Sequence, residues 1–117
     1  MAVDQAFIAR VSELFAFLPE LRTRRMFGGL GVYAGDVFFA VADDGEVYLK
    51  VDGETKGRFE AEGLPAFAPE MNGVPTPMGY HRLPEAAWDD EEVAREWTRL
   101  AIDAALRAKA GKGKRRK

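Results

Sequence analysis

Apolar positions recur along this chain with two different periods. From Glu46 to Val51 they alternate, with Val47, Leu49 and Val51 on one side and Glu46, Tyr48 and Lys50 on the other. A period of two is the mark of a strand with one buried face. Val37 to Ala42 is apolar on both sides, as a central strand requires. The turn signals Ala34-Gly35-Asp36 and Asp43-Asp44-Gly45 divide the run from Arg24 to Val51 into short segments, so it reads as an antiparallel meander. Ahead of it, Val3, Phe7, Val11, Leu14 and Leu18 recur at helical steps, with Ile8 and Phe15 widening the stripe and Pro19 ending it. The spacing predicts a helix over 3–18, broad enough to lie on a sheet.

After the meander the pattern predicts a short helix over 52–63. Asp52 stands at its start, Phe59 is its buried anchor, and Gly63, Leu64 and Pro65 end it. Residues 66–83 read as a second hairpin turning at Asn72-Gly73. Pro69, Pro75 and Pro77 remove backbone donors, so these strands must be interrupted or lie at an edge. From Pro84 to Lys109 the chain is helical again, with Asp89 or Asp90 as the cap of the main helix. Val93, Trp97, Leu100, Ala101, Ala104 and Ala108 form its apolar face. The alanines on that face suit close approach to a sheet or to a second helix, and a homodimer is one expected use of them. The fold class is therefore α+β: an antiparallel sheet, made of a meander of three or four strands plus a hairpin, with helices packed on it. The element order is α-β(3-4)-α-β(2)-α.

Composition changes this picture in two places. The 117 residues contain no cysteine, which removes disulfides, thiolate nucleophiles and Cys-based metal sites. Absence of Cys and of a signal-peptide or membrane-span pattern in the first twenty residues leads to an expected cytoplasmic location. The formal charge of −2 hides an asymmetry. Arg107, Lys109, Lys112, Lys114, Arg115, Arg116 and Lys117 are all basic, and without them the remaining charge is −9. An acidic body opposes a broad DNA-binding face, because phosphates are repelled. The stretch 110–117 is too polar and too rich in glycine to be expected to fold, and is read as a disordered basic tail behind a domain of residues 1–109. Lys112, Lys114, Arg115, Arg116 and Lys117 are the candidates for sequence-blind contact with nucleic acid.

Candidate chemistry is sparse. Gly28, Gly29 and Gly31 stand before a strand signal rather than a helix, so they do not form a phosphate cradle. They fit a bend, a bulge or a close side-chain contact across the sheet. Asp36, Asp43 and Asp44 sit in turns without Ca²⁺-loop spacing. His81 is the only histidine and faces away from Tyr80 if the strand is regular, so a structural or solvent-facing place is expected for it. Arg22, Arg24 and Arg25 read as a strand edge blunted by charge. Arg24, Arg25, Tyr33, Tyr80 and His81 make up the candidate ligand or partner surface. No catalytic residue, metal ligand or cofactor is expected.

The blocks MFGG-x-G-x-Y (from Met26) and M-x-Y-x-x-LP-E (from Met78), at this separation, resemble the TfoX N-terminal domain family over residues 11–106. Gly79 stands where that family more often has serine. The resemblance implies an α+β domain similar to secretion-chaperone-like folds. It implies a regulatory, non-enzymatic role in bacterial transcription: the family's named members regulate competence genes, acting with the cyclic-AMP receptor protein at promoters. Those regulators typically carry a second, C-terminal domain, and here the basic stretch follows instead. A protein partner, with the transcription machinery as one candidate, is what the resemblance implies. It brings no catalytic residues.

Overall fold

The computed structural model describes residues 4–26, 29–76 and 78–115, with side chains through residue 111. Gly28 and Pro77 lie outside the described residues.

Helix α1 (Gln5–Leu14) opens on Asp4, whose Oδ1 accepts the Phe7 N–H at 2.9 Å. It is shorter than the apolar period suggests, and Phe15 to Leu18 continue as turns before Pro19. The meander then delivers four strands: β1 (Leu21–Met26), β2 (Gly29–Ala34), β3 (Val37–Asp43) and β4 (Glu46–Lys50). Two-residue loops close the β3–β4 pair at Asp44-Gly45 and a small outer hairpin at Asn72-Gly73. In both loops φ is positive at each central residue, as a type I′ turn requires.

After β4 comes α2 (Lys56–Ala61), then β5 (Glu70–Met71), β6 (Val74–Pro75) and β7 (Tyr80–Arg82), a 3-10 turn (Glu85–Trp88) and α3 (Glu91–Arg115). The main sheet runs β1-β2-β3-β4-β7, antiparallel throughout. The second hairpin turns at Asn72-Gly73, as the sequence predicts, and its ladder is interrupted: β5 pairs with β6 for two residues, and β7 pairs on its other side with β4. Residues 65–67 follow β7 as a partial outer strand: Phe67 N–H donates to Tyr80 O, Met78 N–H to Phe67 O and Arg82 N–H to Pro65 O. The prolines at 65, 69 and 75 deny this arm a continuous ladder.

One face of the sheet carries Leu30, Val32, Ala42, Val47 and Leu49, all buried, and the three helices pack on it. Phe15, just past α1, meets Phe39 edge-on at 5.1 Å, and Phe59 of α2 meets Trp97 of α3 at 4.8 Å. The inner stripe of α3 is Ala94, Trp97, Thr98, Ala101, Ala104 and Ala105. This differs from the sequence reading, in which Val93, Leu100 and Ala108 shared that face. The small residues set the contact because they let α3 settle close across β3 and β4, and the larger Val93 and Leu100 flank it half-buried. Asp90 Oδ1 caps α3 through the Glu92 N–H at 3.0 Å. The helical backbone of α3 runs to Arg115, past the Lys109 end expected from sequence. Lys and Arg near a helix C-terminus oppose the dipole's negative end, and adding turns to an existing helix costs little.

Asp52 does not cap α2 directly. Its Oδ1 holds the preceding turn by accepting the N–H groups of Glu54 and Thr55, at 3.0 and 3.2 Å. Arg107 of α3 donates its Nε to Oδ2 at 2.7 Å and its Nη2 to Oδ1 at 3.1 Å. Hydrogen bonding to Arg107 is the main reason the Asp52 carboxyl is lowered from 3.8 to about 2. Burial opposes the shift, and the backbone N–H groups support it. A depressed carboxyl stabilises the fold above its unfolded value, and that contribution is lost as pH falls through the folded value. Arg107 is 38% exposed and Asp52 25%, so solvent screening cuts the contribution to about 1 kcal/mol. The advantage of the natural chain over Asp52→Asn in urea denaturation is expected to be of that size at pH 6. It should shrink towards zero between pH 4 and pH 2, and a constant gap would assign the effect to packing.

Candidate functional site

The helix-free face of the sheet carries the side chains that alternate with the core set. β1 contributes Arg22, Arg24 and Met26, β2 contributes Gly31 and Tyr33, and β7 contributes Tyr80 and Arg82. Regular alternation in β3 would send Phe38 to the core with Ala40 and Ala42. A bulge between Val32 and Tyr33 breaks the register instead, pairing Val32 with Ala40 but Tyr33 with Phe38. Phe39 and Ala40, neighbours in sequence, are thus both fully buried, and Phe38 crosses to the open face.

Phe38 is the residue that joins the two tyrosines. It stacks on Tyr33 with ring centroids 4.9 Å apart and lies 6.0 Å from Tyr80. The Arg22 guanidinium sits 5.5 Å from the Tyr33 ring centre, and Lys50 Nζ 5.2 Å from that of Tyr80. Burial, and secondarily the nearby Tyr33, push the Tyr80 phenol up, so it keeps its proton at neutral pH and is a hydrogen-bonding group rather than a base there.

At the other end of this face, Met26, Val41, Phe67, Pro69, Met71 and Met78 line an apolar groove of about 370 Å³. Gly29 forms part of its floor. Phe67 closes the flank by packing on Tyr48 at 4.8 Å. Met71, Val74 and Met78 are 45%, 60% and 43% exposed, an unusual density of large apolar side chains in contact with water.

The structure sorts the sequence-derived candidates. Tyr33, Tyr80 and Arg24 share the open face. Arg25 pairs opposite Leu30, on the helix-bearing side of β1. His81 is opposite Leu49 and buried, its Nδ1 donating to Leu64 O at 2.7 Å and its ring 5.9 Å from Phe59. It joins β7 to the segment after α2 and has no place on the open face, so it leaves the candidate surface and takes the structural role. Arg116, Lys117 and the side chains of Lys112, Lys114 and Arg115 lie outside the described residues. The groove methionines, Phe38 and Lys50 were missed, and only a register prediction that included the bulge would have found Phe38. Among the described residues, no group of three or more His, Asp or Glu is placed to hold a metal ion. No described helix is long and apolar enough to cross a membrane.

Residues 13–105 match the TfoX N-terminal domain family. The chain belongs to that family. The match takes in the whole main sheet and both ends of its open face, and it stops before the basic segment. Over 109 residues, 92% of the chain, this TfoX N-terminal domain is 26% identical to Protein Sxy of Escherichia coli K12. Over 50 residues, 43% of the chain, it is 38% identical to DNA transformation protein TfoX1 of Aliivibrio fischeri. The chain spans 52% of the length of the first relative and 24% of the second. The two family blocks meet on the open face: Met26, Gly31 and Tyr33 come from one, Met78 and Tyr80 from the other.

Proposed function

We propose that this domain is a non-enzymatic regulatory module that acts in transcription regulation by binding a protein partner on the open face of its sheet. The carrying observation is that face: half-buried aromatics, a methionine-lined groove and exposed Met71, Val74 and Met78. Surfaces of this kind are kept for association, and flexible methionines suit a partner's side chains. The name of the Aliivibrio fischeri relative, DNA transformation protein, supports a role in the regulation of DNA uptake.

The seven basic residues of 107–117 favour a second reading, nonspecific nucleic-acid contact by the C-terminal segment. One experiment separates the two. Transcripts of DNA-uptake genes are counted in the host expressing the natural chain, Val74→Glu, or a chain ending at Ala110. Val74 is well exposed on the small hairpin, so the substitution leaves the core alone. The partner reading expects the response to be lost in Val74→Glu and kept in the shortened chain. The reverse pattern, together with DNA retention that falls steeply with salt and vanishes in the shortened chain, would transfer the function to the basic segment.

A further inference from the structure

The open face has polarity along its length as well as apolar content. Arg22, Arg24 and Met26 project from it at two-residue steps along β1, the outermost strand. Successive same-face positions are about 6.6 Å apart, so a row of two guanidinium groups leads directly into the methionine groove. Lys50 stands across the sheet beside Tyr80. Without the basic stretch at its end the sequence carries a net charge of −9, so this row of cations stands in an acidic body.

We infer that the open face receives an acidic amphipathic segment of a protein partner, whose apolar side chains fill the methionine groove and whose carboxylates meet Arg22, Arg24 and Lys50. This rests on the protein-partner reading and names the partner's chemistry. The groove's volume suits one or two large apolar side chains, and the exposed methionines can repack around them. Carboxylates in the flanking turn of such a segment gain from the arginine row, which steers the approach and fixes direction. Single-stranded nucleic acid would also use aromatics and cations, but Asp43 lines the groove and Asp44 and Glu46 adjoin it at the β3–β4 turn. Phosphates along that path would be repelled, whereas a segment placing its apolar residues there is not.

The test uses the full chain and a fluorescein-labelled peptide of about 16 residues, with Leu and Phe at i, i+3, i+4 and i+7, Glu in the flanking turn and Gln at the remaining positions. A second peptide has Lys for every Glu, and a third probe is an oligothymidylate. Anisotropy gives affinity, and amide NMR shifts give the location. The acidic peptide is expected to bind with shifts at residues 22–26, 41 and 67–74, and the Lys peptide at least about tenfold more weakly. Arg24→Glu and Val74→Glu, each checked for an unchanged melting transition, should each weaken the acidic peptide by about tenfold or more. Equal binding of both peptides, or indifference to Arg24→Glu, overturns the inference. So does oligothymidylate binding with shifts at Tyr33, Phe38 and Tyr80 in place of peptide binding. A dimer in light scattering that Val74→Glu dissolves would give the face to a second copy of the chain, and the inference would again fall. If no peptide binds but Val74→Glu still abolishes the transcript response, the acidic partner is wrong and the partner reading stands. If Val74→Glu is silent in cells as well, both fall.

Discussion

Phe59→Ala is expected to destabilise the domain by about 3–5 kcal/mol, read as a shift of the denaturation midpoint with an unchanged slope. Phe59 is fully buried, and its ring touches the Trp97 indole edge-on at 4.8 Å and faces His81 at 5.9 Å. It is the one side chain of α2 that is buried. That helix has only six residues and contains Gly57, so its own propensity cannot hold it. Removing the ring therefore takes the transfer energy of a large aromatic and opens a cavity. It also frees α2 from α3 and from β7. A total stability of about 5–15 kcal/mol makes this a loss of a third or more for a typical domain. Phe17 supplies the control, since it is only partly buried beneath the Arg95 guanidinium, and Phe17→Ala should cost about 1 kcal/mol. A Phe59→Ala loss no larger than that of Phe17→Ala would show that α2 is not anchored through this ring.

The same contact explains why some of the molecule was legible in advance. Phe59, Val47, Leu49 and Val51 are large, apolar and correctly phased, and burial of such side chains dominates folding. Their positions follow from the pattern alone, as does the central place of β3. For His81 alternation gives only that it faces away from Tyr80, and the pairing opposite Leu49 is what puts it on the core side. The turns at Asp44-Gly45 and Asn72-Gly73 announce themselves because few other residue pairs tolerate their backbone. In α3 the reading found Trp97, Ala101 and Ala104 but missed Ala94, Thr98 and Ala105, because the larger Val93 and Leu100 outweigh alanine in a count of hydrophobicity although packing prefers the smaller surface.

The open face was less legible, for a different reason. Tyr33 and Tyr80 stood out as polar-tipped aromatics, but Phe38 could not join them while strict alternation assigned it to the core. The bulge that reverses it leaves its trace in backbone register, not in any residue's identity. The groove is harder still. Met26, Val41, Phe67, Met71 and Met78 come from four separate stretches and converge only because residues 65–67 add to β7 and swing the small hairpin over the sheet. A sequence reading finds faces of single elements and cannot find a surface made between them. The glycines of the first family block sit at the junction of both problems, since what they permit is visible only once the strands are paired.

Gly29→Ala is expected to cost about 1–3 kcal/mol, more than Gly31→Ala, although the two glycines are two positions apart on the same face of β2. A Cβ on Gly29 would stand 2.7 Å from the Ala42 carbonyl oxygen, which is fixed in the sheet. Relief would require moving β2 away from β3, straining the ladder that carries the whole meander. A Cβ on Gly31 would meet the Met26 terminal methyl at 2.6 Å and the Phe38 ring at 3.1 Å. The methionine end can rotate away, and the ring needs to yield by only a few tenths of an ångström, so about 1 kcal/mol or less is expected there. The two variants then divide in a second measurement. Gly31→Ala drives Met26 towards the groove it lines and presses on the Phe38 ring, so peptide binding should weaken more than stability does. Gly29→Ala should lose stability first, with binding following the folded fraction. If Gly29→Ala were as stable as the natural chain, β2 and β3 would have room to separate, and the close approach at Ala42 could not be what the glycine is for.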